Sequence, residues 1–417
     1  SPALANPGSG TATPGVLRPA RPRKILALPG TRAMILAMET SVRAEPPHHL
    51  LQALEDDDRA AVLQADDMAA AMAMLDVVEG LPPFSSRVLL RSAWLKEVRL
   101  LAVRLGEACP DELEVRMLAS IARTAFAARE TTAGLAASEH ALGRAIETGD
   151  MSAQVGIVAG RLPFLAMASP VEAARDARLL ETSGRPNLEA PPLLRDAEVV
   201  LAQVAWSGAT GDGQRVRRGL AALGRLALPR DEALVFVAYA SQAALAQLYL
   251  RARQRGQAAL ALIEAARLAN DQHAYAELAN LQAVVAGIAM MAGDFQSAVA
   301  HARSAVEAAS QSTCQHAQPD PWLGFPIDIC LTDSPAGAVQ ALAESVLSAQ
   351  DLGDAAGFEI AATAMAAFYL ADDRALEALD ALTEAAEVAR SLGDGSVAAA
   401  IRGVAEALLA HLGILRR

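Results

Sequence analysis

From about His48 onward, nearly every stretch of the chain places apolar residues at i, i+3, i+4 and i+7, the spacing that gathers them on one face of an α-helix. Gly, Asp, Asn or Pro interrupts the pattern at intervals of roughly 15–20 residues. The breaks fall at Gly80-Leu81-Pro82-Pro83, Cys109-Pro110, Thr148-Gly149-Asp150, Ser169-Pro170, Gly184-Arg185-Pro186, Gly211-Asp212-Gly213, Leu228-Pro229, Asn270-Asp271, Gly293-Asp294, Gly353-Asp354 and Gly393-Asp394. No stretch of useful length alternates as a strand would. The pattern predicts about 16 helices, which is more than a single bundle uses, arranged as antiparallel pairs joined by short turns.

A period sharpens this expectation. Ala298, Ala338 and Ala378 lie 40 residues apart, each early in a predicted helix. Ala302, Leu342 and Leu382 follow four residues later, and Ala305, Ser345 and Ala385 three beyond those. The terminators Leu352-Gly353-Asp354 and Leu392-Gly393-Asp394 keep the same interval, and a looser copy precedes them at 37 residues, with Gly256, Ala261, Ala265 and Leu268 matching Gly293, Ala298, Ala302 and Ala305. A small residue lets the second helix of a pair approach the first, while Gly-Asp stops one helix and caps the next. Such units cannot bury their faces alone, so they stack.

On these residues the chain resembles the tetratricopeptide-repeat family, in the 40-residue form found in MalT-like regions of bacterial regulators. Met291-Ala292-Gly293-Asp294-Phe295-Gln296-Ser297-Ala298-Val299 is similar to the family's turn into its second helix. Tyr369 and Trp322 fall on the family's first-helix tyrosine and tryptophan slots. Asp333 and Asp373 stand where the family has a turn glycine, and the proline between repeats is mostly missing. The resemblance covers roughly residues 230–417 and implies an all-α, right-handed superhelix of stacked helix pairs. Residues 48–229 share only the helix-pair rhythm and read as divergent hairpins.

Composition agrees. Of 417 residues, 53% are apolar and only 4% aromatic, so hydrophobicity comes from Ala, Leu and Val, suited to closely packed helices. Mean hydropathy of +0.24 is far too apolar for a disordered chain. The formal charge of −12 argues against direct binding to nucleic acid or an anionic membrane, either of which asks for a basic face. Residues 1–47 differ from the rest: they hold 8 of the 21 prolines and carry +4 against −16 elsewhere, which marks an arm or linker. The uncharged run Ala233 to Leu250 contains Ser241, Gln242, Gln247 and two tyrosines and reads as a buried helix, not a membrane span. Three cysteines, Cys109, Cys314 and Cys330, are too few for a disulfide framework, and a reducing cytoplasm is the simpler expectation.

Motifs for chemistry are scarce. No phosphate-cradling Gly-rich loop with Lys, no His-Glu-x-x-His, no Gly-x-Ser-x-Gly and no Cys-x-x-Cys occurs. No cofactor or catalytic set is implied. Asp56-Asp57-Asp58 and Asp66-Asp67 read as caps and solvated faces. The segment Ser312 to Pro335 breaks the repeat: by register it is a first helix, yet Pro319, Pro321, Gly324 and Pro326 oppose one. Asp320-Pro321 is suited to a cap and first turn before Trp322. Cys314, His316 and Cys330, with Asp320 or Asp328, offer a zinc-ligand set of unusual spacing, against which packing cysteines are the simpler reading. Trp322 and Phe325 either pack on neighbouring helices or form a lip that anchors a partner.

The expected function is a non-catalytic scaffold whose concave groove binds a protein or peptide. In the repeat register the inward floor of the best-defined first helix is Asn280, Ala283, Gly287, Met290 and Met291, small and apolar with adaptable methionines. Trp322 and Phe325 complete that candidate site. Two other readings stay open: the ligand- or peptide-sensing region of a transcription or signalling regulator, as the resemblance implies, and an enzyme built on helical repeats.

Overall fold

The computed structural model describes residues 66–183, 194–225, 232–314 and 319–413. The arm at 1–47, the acidic triplet at 56–58, the breaks at 184–186 and 228–229 and His316 lie outside these. Sixteen α-helices and no strand form among the described residues, giving an all-α helical-repeat solenoid of adjacent antiparallel pairs. The first pair is α1 (Asp67–Gly80) with α2 (Val88–Leu105), followed by α3 (Asp111–Ala127) with α4 (Thr131–Glu147) and α5 (Met151–Ala168) with α6 (Pro170–Ser183). Then come α7 (Leu194–Ala209) with α8 (Gly213–Arg225), α9 (Glu232–Arg251) with α10 (Arg255–Asp271) and α11 (Tyr275–Met291) with α12 (Phe295–Gln311). After the irregular segment stand α13 (Pro335–Asp351) with α14 (Ala355–Ala371) and α15 (Ala375–Ser391) with α16 (Gly395–His411).

One turn recurs. After most of the helices the second residue past the end enters the left-handed region, as at Gly293 (φ 75°), Gly353 (φ 65°) and Gly393 (φ 85°). The next amide then reaches back five residues, for example Asp294 N–H to the Ala289 carbonyl at 3.0 Å and Asp394 N–H to Ala389 at 3.0 Å, which satisfies carbonyls that a helix end leaves without partners. The same aspartates cap the following helices, accepting from Ser297 N–H at 3.1 Å and Val397 N–H at 3.0 Å. Left-handed residues stand at 253, 273, 293, 353, 373, 393 and 413, and also at 129 and 149, so the unit is a 20-residue helix and turn, and two make the 40-residue repeat. Asp373 takes the turn-glycine role with φ 58°. Asp333 does not: Ser334 caps α13 instead, its Oγ accepting from Gly337 N–H at 3.2 Å, with Pro335 in the first turn.

The periodic residues are the packing residues. Ala298, Ala338 and Ala378 are wholly buried, as are Ala302, Leu342 and Leu382, and Ala305, Ser345 and Ala385 are buried beside them. One continuous core joins α7 through α16 and includes Phe84. By length and composition α5 would also span a membrane; here Val155, Val158, Leu162 and Leu165 pack with α6 and α7.

Positions 313 and 333 break the 20-residue rhythm. Between α12 and α13 the described residues form turns and extended chain in place of a first helix, because prolines at 319, 321 and 326 remove amides and hold φ. Instead of an intervening helix, α14 packs directly on α11 and α12. A Cβ built on Gly287 of α11 would lie 2.9 Å from the Ile360 carbonyl oxygen of α14, so this glycine permits a close crossing of two helices.

That crossing corrects the expected groove. Asn280, Ala283, Gly287 and Met290 are buried and Met291 is half-buried; Trp322 is 8% exposed and Phe325 1%. The first helices do turn these residues inward, but α14 and the irregular segment cover them.

Candidate ligand-binding pocket

The irregular segment lies along the inward side of the first helices and is held there by their polar side chains. Asp320 Oδ1 accepts from Trp322 N–H at 2.9 Å, shaping the turn, and its Oδ2 accepts from the Tyr239 hydroxyl of α9. Gln247 of α9 donates to the Gly324 carbonyl at 3.2 Å, and any side chain at Gly324 would meet that glutamine. Asn280 Oδ1 accepts from Ile329 N–H at 2.9 Å. Asp328 Oδ1 accepts from Arg129 Nη1 at 3.2 Å, Cys330 N–H at 3.0 Å and Asn280 Nδ2 at 3.4 Å. The groove floor therefore grips an extended peptide, and the peptide is the chain's own.

Next to the covered stretch a pocket of about 80 Å³ remains. Successive first helices build it: Arg123 and Phe126 of α3, Ala159, Gly160 and Phe164 of α5, Glu198 and Leu201 of α7, Phe236 and Tyr239 of α9, and Glu277 of α11. Arg129, from the turn after α3, and Asp320, Pro321 and Trp322, from the segment, complete the wall. Five of the fifteen aromatic residues of the chain meet here. Phe126 and Phe164 stack with centroids 4.0 Å apart and planes 9° from parallel, and Trp322 meets Phe236 edge to face at 5.9 Å. Such contacts fix the rings and leave their outer faces for an occupant.

Charge is graded with depth. Near the mouth, Arg123 Nη2 pairs with Glu198 Oε2 at 2.7 Å, both side chains roughly a quarter exposed. Deeper, Arg129 of the lining pairs with Asp328, which lies outside the pocket, the side chains being 7% and 8% exposed. Burial opposes the Arg129 charge, but the fields of Asp328, Cys330, Glu277 and Asp320 outweigh it and hold the guanidinium above its ordinary value. Glu277 accepts from Ser85 N–H at 3.0 Å and from Ser85 Oγ at 2.5 Å. Burial pushes its carboxyl up, against the pull of Arg129 and of those two bonds. Tyr239 is held well above the usual phenol range by burial and then by the Asp320 and Glu277 carboxylates, so it remains a hydrogen-bond donor.

Of the residues expected to form the site, the pocket contains Trp322 alone. Asn280 is adjacent through Asp328, Phe325 sits under the Arg251 guanidinium at 5.9 Å, and Ala283, Gly287, Met290 and Met291 lie in the helix packing. Of the suspected zinc ligands, Cys330 is buried and Cys314 is partly exposed. No group of three or more His, Cys, Asp or Glu side chains converges as a metal site among the described residues. Sequence reasoning missed Phe126, Arg129, Phe164, Phe236, Tyr239 and Glu277. The usable signal was aromatic residues recurring in a chain poor in them; placing them on one face required a register before residue 230. Neither a protein-family model nor a curated protein matches the chain in sequence.

Proposed function

We propose that this chain is a non-catalytic helical-repeat binding module of the tetratricopeptide kind, and that it takes a protein or peptide partner by one anchoring side chain in the aromatic pocket. The observation that carries this reading is the occupancy of the inward face. The α11 floor is buried under α14 and residues 319–330, whereas the walls from α3, α5, α7 and α9 leave open space lined by rings and polar groups. The volume is smaller than the roughly 150 Å³ cavity that encloses benzene, which suits the end of one side chain better than a length of peptide. Neither histidine nor lysine lines the pocket, and its carboxylates accept hydrogen bonds or pair with arginine, so binding fits the site better than proton or acyl transfer.

A small-molecule sensing region of a regulator is the second reading. The buried Arg129, Glu277 and Asp320 that line the pocket favour it, since a ligand carrying its own polar group would find partners there.

Gly160→Phe tests the site itself. A Cβ at Gly160 would meet only Arg123 Nε, at 3.8 Å, so a ring there fills the pocket without displacing backbone. Peptides selected against the parent from a random displayed library should lose at least about tenfold in affinity for Gly160→Phe, about 1.4 kcal/mol, while its helical spectrum is unchanged. Equal affinity for both proteins would remove the pocket from the interaction. If no peptide is selected but small-molecule fragments shift the Trp322 resonance of fluorotryptophan-labelled protein, the sensing reading replaces the first.

A further inference from the structure

The charges that line the aromatic pocket do not balance. Arg123 is engaged by Glu198 at 2.7 Å, and Arg129 by Asp328 at 3.2 Å. Glu277 and Asp320 remain, 7% and 5% exposed, and neither is in an ion pair among the described residues. Each of their oxygens already accepts a hydrogen bond: Glu277 from the Ser85 N–H and hydroxyl, Asp320 from the Trp322 N–H and the Tyr239 hydroxyl. Their charge is open to an occupant, but they have few acceptor sites to spare for the several N–H donors of a lysine or arginine side chain. Burial pushes the Glu277 carboxyl up against the pull of Arg129, so its charge is held at a cost that a further cation nearby would offset.

Rings wall the same space. Phe164 and Phe236 are half-buried, and Phe126, Tyr239 and Trp322 are buried beside them. Phe84 braces the group from outside the pocket, meeting Phe236 edge to face at 5.1 Å and Tyr239 at 5.3 Å. Ring faces attract cations, and the attraction grows when the cation is desolvated. An alkylated nitrogen sheds water most readily, because it has no N–H to leave without a partner. An anion would meet surplus negative charge, since both arginines are already engaged.

We propose that the pocket takes a quaternary ammonium group, its methyls against the rings and its charge countered by Asp320 and Glu277. Size agrees: a nitrogen with its methyls is smaller than benzene, as the pocket of about 80 Å³ is smaller than the roughly 150 Å³ cavity that encloses benzene. The proposal rests on the reading of this pocket as a binding site and names its ligand class. On the reading that the occupant is a partner's side chain, the group is the end of a trimethylated lysine, whose methylene stem runs out past the partly exposed Arg123 and Glu198.

The test follows the Trp322 resonance of the fluorotryptophan-labelled full chain during titration with choline and with its neutral isostere, the dimethylbutanol in which a quaternary carbon replaces the nitrogen. Choline should shift the resonance saturably and bind at least about tenfold tighter than the alcohol, and Gly160→Phe should abolish the shift. Equal or tighter binding of the alcohol would overturn the cation and leave the pocket an apolar anchor site. No saturable shift with choline, or tighter binding of acetate, would overturn the proposal as well. Asp320→Asn keeps the shape of the carboxylate and removes its charge, and should weaken choline at least about fivefold with the alcohol unchanged; if that variant does not fold, the two ligands on the parent decide. Peptides of random sequence around a central trimethyllysine, displacing choline, separate the sources. A pool that binds at least about tenfold tighter than choline places the group on a protein partner. A pool no tighter than choline assigns it to a small molecule, and the peptide reading then fails while the quaternary ammonium stands.

Discussion

The stretch from α9 to α16 and the stretch from α1 to α8 use one architecture and hold it together differently. Every helix from α10 to α16 has 17 residues, and alanines at the same repeat positions bring the backbones together. The earlier helices run from 13 to 18 residues, and much of their core is divided into three separate clusters. Larger side chains and arginine pairs make up the difference there. Buried Arg91 bonds the Val78 and Leu81 carbonyls of the α1 turn, and burial lowers its pKa to about 10. Arg116 reaches Asp76 and Glu79, and Arg161 pairs with Asp176 at 2.6 Å. Repetition makes each interface a copy of the last, whereas divergence requires each interface to be solved separately and leaves irregular space. The pocket lies where the two regimes meet.

The largest test of that boundary is Arg129→Met. Arg129 belongs to the divergent stretch and Asp328 to the segment that lies against α11, so the change leaves a carboxylate buried without its cation. We expect a loss of about 3–5 kcal/mol in urea unfolding. Arg116→Met is the control: Arg116 also bridges helices, but to the more exposed Asp76 and Glu79, and should cost about 0–1 kcal/mol. Similar losses in both variants would mean that the buried pair is no special tie between the two stretches.

A second pair of variants contrasts the packing. In Gly287→Ala the new methyl meets the Ile360 oxygen at 2.9 Å and the Ala364 nitrogen at 3.2 Å, both backbone atoms of α14. Relief requires a helix to move, so we expect a net loss of about 1–3 kcal/mol despite the roughly 1 kcal/mol advantage of Ala over Gly in a helix. In Gly134→Ala the obstacle is the Phe126 ring, at 2.5 Å. A ring can turn, so stability should change less, but Phe126 is a wall of the pocket and its resonances should shift. If Gly134→Ala proves the more costly in unfolding measurements, the regular stretch is the more accommodating of the two.

What could be read from the sequence follows the same division. The Ala298, Ala338 and Ala378 series and the Gly-Asp turns announced their places because the same local contacts recur, and burial and backbone angles agree with them. The breakdown at 312–335 was legible as well, since proline acts through its own backbone. Where the extruded segment would go was not. A repeat register says that Asn280 and Gly287 face inward; what covers them depends on α14 and on Asp328, which lie far along the chain. Phe126, Arg129 and Phe164 remained hidden because α3 and α5 repeat no sequence that would have placed them on a shared face. The turn after α3 has the same left-handed geometry as the later ones, but with arginine in the glycine position.

The smallest effect is expected at that shared turn. Asp373 follows α14 in the left-handed region at φ 58°, donating to the Leu370 carbonyl at 3.1 Å while Arg374 N–H reaches Tyr369 at 2.9 Å. Its side chain is exposed, so replacement removes no packing. A side-chain-bearing residue there costs about 1–2 kcal/mol, less for aspartate, and glycine removes that cost while adding freedom to the unfolded chain. We expect Asp373→Gly to stabilise by about 0.5 kcal/mol, and Gly393→Asp, at the corresponding turn one helix onward, to destabilise by a similar amount. Arg129→Gly makes the contrast, because the backbone angle is nearly the same, φ 63°, and the outcome should be opposite in sign. The relief of strain is small beside the loss of the buried pair with Asp328. Matching urea midpoints for Asp373→Gly and the parent would show that the turn carries no backbone cost at this position. A stabilised Arg129→Gly would show that the divergent stretch is held by its packing and not by its charges.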